Sequence, residues 1–122
     1  MHELSIAISL VEAAQEEAVK HHAVGVTAVH LRLGPLAGVV KEALLFSYDL
    51  ATAGTPLEGS QLIIEDAPVI MFCAACQERR PIRSLQSFYC AICDTPATEI
   101  VQGRELEVVA LEIQETTQEI DG

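Results

Sequence analysis

Four cysteines stand in two identical steps, CAAC (Cys73, Cys76) and CAIC (Cys90, Cys93), with thirteen residues between them. A CxxC step turns the chain so that both sulfurs face one point, and two such steps supply the four soft thiolates of a tetrahedral metal site. Four protein ligands close the coordination shell, which makes such an ion structural. Three chemistries compete for the pattern: a zinc site, an iron site with the same four ligands, and a dithiol redox pair. A redox pair needs only one CxxC, so the doubled motif favours a metal and zinc above iron, although spacing alone does not separate the two.

A second set of ligand-type residues stands where the chain opens, MHELSIAISLVEAAQEE. A free α-amine on Met1, the peptide nitrogens after it, the imidazole of His2 and the carboxylate of Glu3 lie within a few bonds of one another. Together they can wrap one ion in fused chelate rings, and nitrogen ligands in a square-planar or tetragonal arrangement suit Ni(II) or Cu(II). Taken alone, a histidine at position 2 is an ordinary solvated side chain.

Composition narrows the setting of both groups. The 122 residues fit one ordinary domain, or one small core with a subdomain that needs help to fold, and 50% of them are hydrophobic. With 18 acidic and 7 basic residues the formal net charge is −11, a field that repels phosphate and counts against nucleic acid or anionic membrane as partner. No run approaches a membrane span, and Glu3, Glu12, Glu16 and Glu17 precede the first basic residue, Lys20, unlike a signal peptide. A cytoplasmic protein is expected, and in that compartment cysteines are metal ligands or redox groups rather than structural disulfides.

The elements that must position these residues are legible in outline. Leu4, Ile8, Val11, Ala14 and Ala18 recur near helical period over residues 4–22, with Lys20, His21 and His22 at the negative end of the dipole, and Gly25 is expected to end that helix. VTAVHLRL alternates, placing Thr27, Val29, Leu31 and Leu33 on one strand face and His30 and Arg32 on the other, before Gly34-Pro35. A second helix is expected over Lys41 to Ala53, stopping at Gly54; SQLIIED and ELEVVALEI read as further strands. RRPIRSLQSFY, between the cysteine pairs, reads as strand and turn material.

The cysteine module then becomes an insertion between two strands of one sheet. The expected organisation is an α+β domain from 1–69 and 101–115, a metal-binding domain at 70–100, and a disordered tail at 116–122. About thirty residues bury too little core to fold unaided, so the metal must supply folding free energy on the order of 10 kcal/mol. Arg79, Arg80 and Arg83 against Glu78, Asp94 and Glu99 leave 4 basic and 15 acidic residues for the remainder. This local basic cluster is either a docking surface or three solvated arginines on a hairpin.

In conjunction, the MHE start before an amphipathic helix, the strand ending in LRLGPLAGV, the helix with SYDLATAG, and the paired CAAC and CAIC resemble the HypA family of hydrogenase maturation factors, nickel metallochaperones. The resemblance runs from Met1 to about Ile113. It implies two helices on a three-stranded sheet carrying a separate, zinc-ribbon-like four-cysteine domain. It implies His2 as the principal nickel ligand, helped by the Met1 amine, the neighbouring backbone nitrogens and Glu3, with Cys73, Cys76, Cys90 and Cys93 on Zn(II). The implied role is delivery of Ni(II) to the [NiFe]-hydrogenase large-subunit precursor together with a HypB-type accessory GTPase, and in some organisms service to urease accessory proteins. No reaction is catalysed in that role.

One departure stands out: some members carry histidines beside the CxxC steps, through which zinc can change ligands, and this chain has none from 31 to 122. His21 and His22 lie ~28 Å along the helix from His2 at about 1.5 Å per residue, and are read as helix-end groups rather than nickel ligands. His30 is read as a half-covered sheet residue. The competing function is a zinc-ribbon interaction adaptor whose only metal is structural.

Overall fold

The computed structural model describes residues 2–115; Met1 and the tail at 116–122, expected to be disordered, lie outside the described residues. The order of elements is α1 (Glu3–Lys20), β1 (Ala23–Leu33), a single 3-10 turn (Pro35–Ala37), α2 (Lys41–Thr52), β2 (Gln61–Asp66), β3 (Ile70–Cys73), β4 (Glu78–Ser84), β5 (Ser87–Cys90), β6 (Glu99–Gln102) and β7 (Leu106–Glu115). The chain is α+β, with a three-stranded sheet in the order β2-β1-β7 and a four-stranded sheet in the order β5-β4-β3-β6. Among the described residues no helix is long and apolar enough to cross a membrane.

Helix α1 buries Ala7, Leu10, Val11, Ala14 and Ala18, spacings that place all five on one face. The expected face included Leu4 and Ile8, which are 46% and 44% exposed. The apolar arc of this helix is wider than a core stripe, so periodicity alone does not choose its edge. The packed face turns toward Ala7 and Leu10, and α1 packs against α2. On α2 the inward residues are Leu44, Ser47, Tyr48 and Thr52. Tyr48, 1% exposed, keeps its hydroxyl satisfied by Ser60 Oγ at 2.7 Å, and burial pushes its phenol above the ordinary range.

The end of α1 also differs from the expected stop at Gly25. His21 and His22 amides return to Glu17, Ala18 and Val19 carbonyls, and His22 takes the left-handed conformation at φ 56°. That is the turn a glycine usually makes after a helix, and histidine is among the side chains that tolerate it. Gly25 consequently lies inside β1, which starts at Ala23. Along β1 the outer residues are Arg32 and the half-buried His30, as the alternation predicts, and Val29, Leu31 and Leu33 are buried. Thr27 is exposed instead, while its neighbours Val26 and Ala28, on the opposite face of the strand, are buried. His30 Nε2 meets Glu112 Oε2 at 2.6 Å, and the Thr27 hydroxyl donates to the Glu112 carbonyl at 3.1 Å, tying β1 to β7.

Contacts divide the described residues into two compact units, one of 2–31, 39–64 and 108–115, the other of 32–38 and 65–107. The second unit holds all four cysteines and takes in the Gly34–Pro35 segment through backbone hydrogen bonds. The Gly34 amide donates to the Glu105 carbonyl, and the Leu36 amide to the Gly103 carbonyl, both at 2.8 Å. This approach leaves no room for a side chain: a Cβ on Gly34 would stand 2.1 Å from the Gly103 carbonyl oxygen. We expect Gly34→Ala to lower the unfolding free energy, read from urea denaturation, by well above the ~1 kcal/mol typical of a point substitution. Gly25→Ala, where a Cβ meets nothing within 4 Å, is the control, and equal midpoints for the two would refute the steric account.

Candidate functional site

The two cysteine steps fold into the same knuckle. Cys73 ends β3 and Cys90 ends β5. In each knuckle the amide four residues on returns to the first cysteine's carbonyl, Gln77 to Cys73 at 2.7 Å and Asp94 to Cys90 at 2.9 Å. The residue after each second cysteine is left-handed, Gln77 at φ 57° and Asp94 at φ 70°. Amide donors converge on the first sulfur of each step: Cys76 N–H on Cys73 Sγ at 3.3 Å, and the Ile92 and Cys93 N–H groups on Cys90 Sγ at 3.4 Å.

All four sulfurs lie within 4.8 Å of one another, and among the described residues these are the side chains that could jointly hold a metal ion. Cys73 and Cys93 Sγ are 3.4 Å apart, Cys76 and Cys93 Sγ 3.6 Å. A tetrahedral ion with metal–sulfur bonds of about 2.3 Å needs sulfurs ~3.8 Å apart, whereas a disulfide needs about 2.05 Å. The cysteines are free, and the donor set fits a tetrahedral Zn(II) or Fe(II). Cys73 and Cys90 are fully buried, Cys76 is half-buried and Cys93 exposed.

The two outer sulfurs differ in acidity. The Thr95 hydroxyl, 3.1 Å from Cys93 Sγ, leads the groups that hold the Cys93 thiol down at about 6. At Cys76 the Arg80 guanidinium pulls downward, but hydrogen bonding with the Cys93 sulfur and burial outweigh it, and the thiol is pushed up to about 11. A bound metal requires both as thiolates, so metal binding must expel the Cys76 proton.

Around the knuckles the core is small: Met71, Cys73 and Cys90 are fully buried, with Ile82, Ala97 and Ile100 packed against them. The three arginines of β4 are largely engaged within their own unit. Arg83 pairs with Asp94 and lies over the Tyr89 ring at 5.8 Å, and Arg80 Nη1 donates to Glu78 Oε1 at 3.1 Å. Only Arg79 is left as the plainly solvated member of the cluster read from the sequence.

At the other candidate site, His2 occupies the position that caps α1, exposed and with no side-chain capping bond, and its carbonyl accepts the Ile6 amide at 3.2 Å. Glu3 opens the helix, and its Oε2 accepts the Val40 amide at 2.9 Å, which holds the carboxyl below its usual range. Val40 caps α2, so a side chain at the start of one helix satisfies a donor at the start of the other. Nothing in the sequence signals a contact across 37 positions. The remaining histidines stay outside this group: His21 faces Glu17 at 3.7 Å and His30 pairs with Glu112.

The family model described as hydrogenase/urease nickel incorporation, metallochaperone, hypA, matches residues 1–113. The chain belongs to the HypA family. Two hydrogenase maturation factors HypA are close relatives: that of Roseiflexus sp. (strain RS-1) is 49% identical over 98% of this chain and 97% of its own length. That of Chloroflexus aurantiacus (strain ATCC 29366 / DSM 635 / J-10-fl) is 50% identical over 92% of this chain and 98% of its own. The fold is that of the solution structure of the Ni metallochaperone HypA from Helicobacter pylori, at TM-score 0.69 and 24% identity over 95% of this chain and 100% of that one. The HypA role is nickel incorporation for hydrogenase or urease, with metal binding at its centre.

Proposed function

We propose that this HypA member binds Ni(II) at its N terminus and delivers it for maturation of a [NiFe]-hydrogenase, without catalysing a reaction itself. The α-amine of Met1, the imidazole of His2 and the adjoining peptide nitrogens form the nickel site, with Glu3 contributing a carboxylate oxygen. Zn(II) is held by Cys73, Cys76, Cys90 and Cys93 as a structural ion. The division of labour follows the chain: 1–69 with 101–115 for nickel, 70–100 for zinc. The partners are a HypB-type GTPase and the hydrogenase large-subunit precursor, with urease accessory proteins as further recipients, all in the cytoplasm.

The observation that carries this reading is the family match over residues 1–113, which takes in both the MHE start and the double CxxC. The exposure of His2 supports it physically. A storage site would be enclosed by rigid ligands and the groups behind them, whereas ligands standing at an open helix start can be replaced one at a time by a recipient. The Glu3 carboxylate accepts the Val40 amide and its own backbone amide, and with about four lone-pair sites it keeps acceptor capacity for an ion.

Calorimetry of Ni(II) binding to untagged, zinc-loaded protein, wild type beside His2→Ala, tests the assignment. One tight nickel in the wild type and none in the variant, with zinc content equal, is the expected result. Equal nickel binding would move the ligands elsewhere and leave a zinc-ribbon adaptor as the better account.

A further inference from the structure

We propose that Arg80 completes the four-cysteine site by donating its Nε–H to the metal-bound thiolate of Cys76, so that a guanidinium balances part of the site's charge. The inference rests on the reading that Zn(II) occupies the four cysteines.

Four thiolates around a divalent ion carry a formal charge of −2, and such sites are tuned by the donors turned on their sulfurs. Here the donors are unevenly placed. Cys73 receives one amide, Cys90 two, and Cys93 lies against the Thr95 hydroxyl. Among the described residues no amide or hydroxyl serves Cys76, although both knuckles have the same backbone course. What stands beside the Cys76 sulfur is the Arg80 guanidinium.

Arg80 is brought there by register: on β4 it faces Met71, two residues before Cys73, while Glu78 faces Cys73 itself. Glu78 takes Nη1 at 3.1 Å and thereby fixes the guanidinium plane. Its Nε, by contrast, is buried and has no hydrogen-bond partner, the one such side-chain atom among the described residues. A buried N–H without an acceptor costs free energy and calls for an explanation. A thiol is a weak acceptor, but a metal-bound thiolate is a charged one, and a charge-assisted bond to it satisfies Nε. A metal-bound Cys76 thiolate would give Nε its charged acceptor, which makes Arg80 a positioning residue for the metal. Its neighbours Arg79 and Arg83 do not share the role, since Arg79 is exposed and Arg83 is committed to Asp94 and Tyr89.

The test uses the untagged full chain as wild type, Arg80→Gln, Arg80→Lys and Arg79→Gln. Zinc content is measured first, then the pH at which half the zinc passes to a chromophoric chelator, then the thiolate-to-metal charge-transfer band of the cadmium-loaded protein. Arg80→Gln is expected to lose roughly 10–100-fold in zinc affinity, as removal of an outer partner does. Its half-release pH should rise, and its cadmium band should move to lower energy, because an unbonded thiolate gives up charge more readily. Arg80→Lys should recover part of both, and Arg79→Gln should match the wild type. Should Arg80→Gln fail to fold, Arg80→Lys and its cadmium band decide: a band and half-release pH identical to wild type would overturn the role of Nε. Wild-type protein that binds neither zinc nor cadmium would instead sink the four-cysteine reading, an outcome visible before any variant is compared.

Discussion

A single residue added ahead of Met1 is expected to abolish high-affinity nickel binding while leaving zinc content and fold unchanged. The extension converts the α-amine into an amide, which removes a nitrogen ligand and opens the chelate rings that join it to His2. The loss should exceed the roughly 10–100-fold that removal of an outer partner of a metal site costs, because a direct ligand is lost. The fold should not notice: the His2 side chain makes no capping bond, and the His2 carbonyl that accepts the Ile6 amide survives the extension. Calorimetry against far-ultraviolet circular dichroism separates the two effects. Amine and imidazole must both be unprotonated to bind, so nickel affinity should fall as acid is added. Undiminished nickel affinity in an extended chain would remove the terminal amine from the ligand set.

Removal of zinc is expected to melt the four-cysteine unit first, with a loss of folding free energy on the order of 10 kcal/mol. The buried cluster there consists of Met71, Cys73 and Cys90, and two of those three are proposed ligands. Without metal, the site must either bury thiols where thiolates were arranged for, or open. Hydrogen exchange reads this directly. The amides of β3 and β4, paired Ile70 to Pro81 through Cys73 to Glu78, should lose protection on chelation and in Cys73→Ser, while α1 and α2 keep theirs. Equal protection with and without metal would show that the ribbon is held by its own packing. The pH dependence has one sign. With Cys76 pushed up to about 11 and Cys93 held down at about 6, zinc binding at neutral pH must release the Cys76 proton, so the stability that zinc contributes is present at neutral and higher pH and is lost as acid returns protons to the sulfurs.

Much of the architecture follows from local pattern. Two CxxC steps bring four sulfurs together because each knuckle is closed by its own backbone hydrogen bonds, a property of four or five consecutive residues. The β-branched runs of SQLIIED and ELEVVALEI become β2 and β7, and Gly54 follows α2 in the left-handed conformation, as glycine after a helix commonly does. The family itself was readable from the same motifs, because MHE and the doubled CxxC are short, specific and far apart in the chain.

Long-range contacts decided the rest. Leu4 and Ile8 satisfy helical periodicity as well as Ala7 and Leu10 do, and only tertiary packing chose between them. A left-handed histidine displaced Gly25 as the end of α1, because the chain turns where β1 must begin. The strand order β2-β1-β7 has no local signature. The same holds for the Glu3 carboxylate on the Val40 amide and for the buried Nε of Arg80. By itself the sequence determined which side chains could hold metal, since ligand chemistry and short spacing are written in consecutive residues. Tertiary structure alone decided which donors stand around those ligands, since that depends on register and on contacts between residues far apart in the chain.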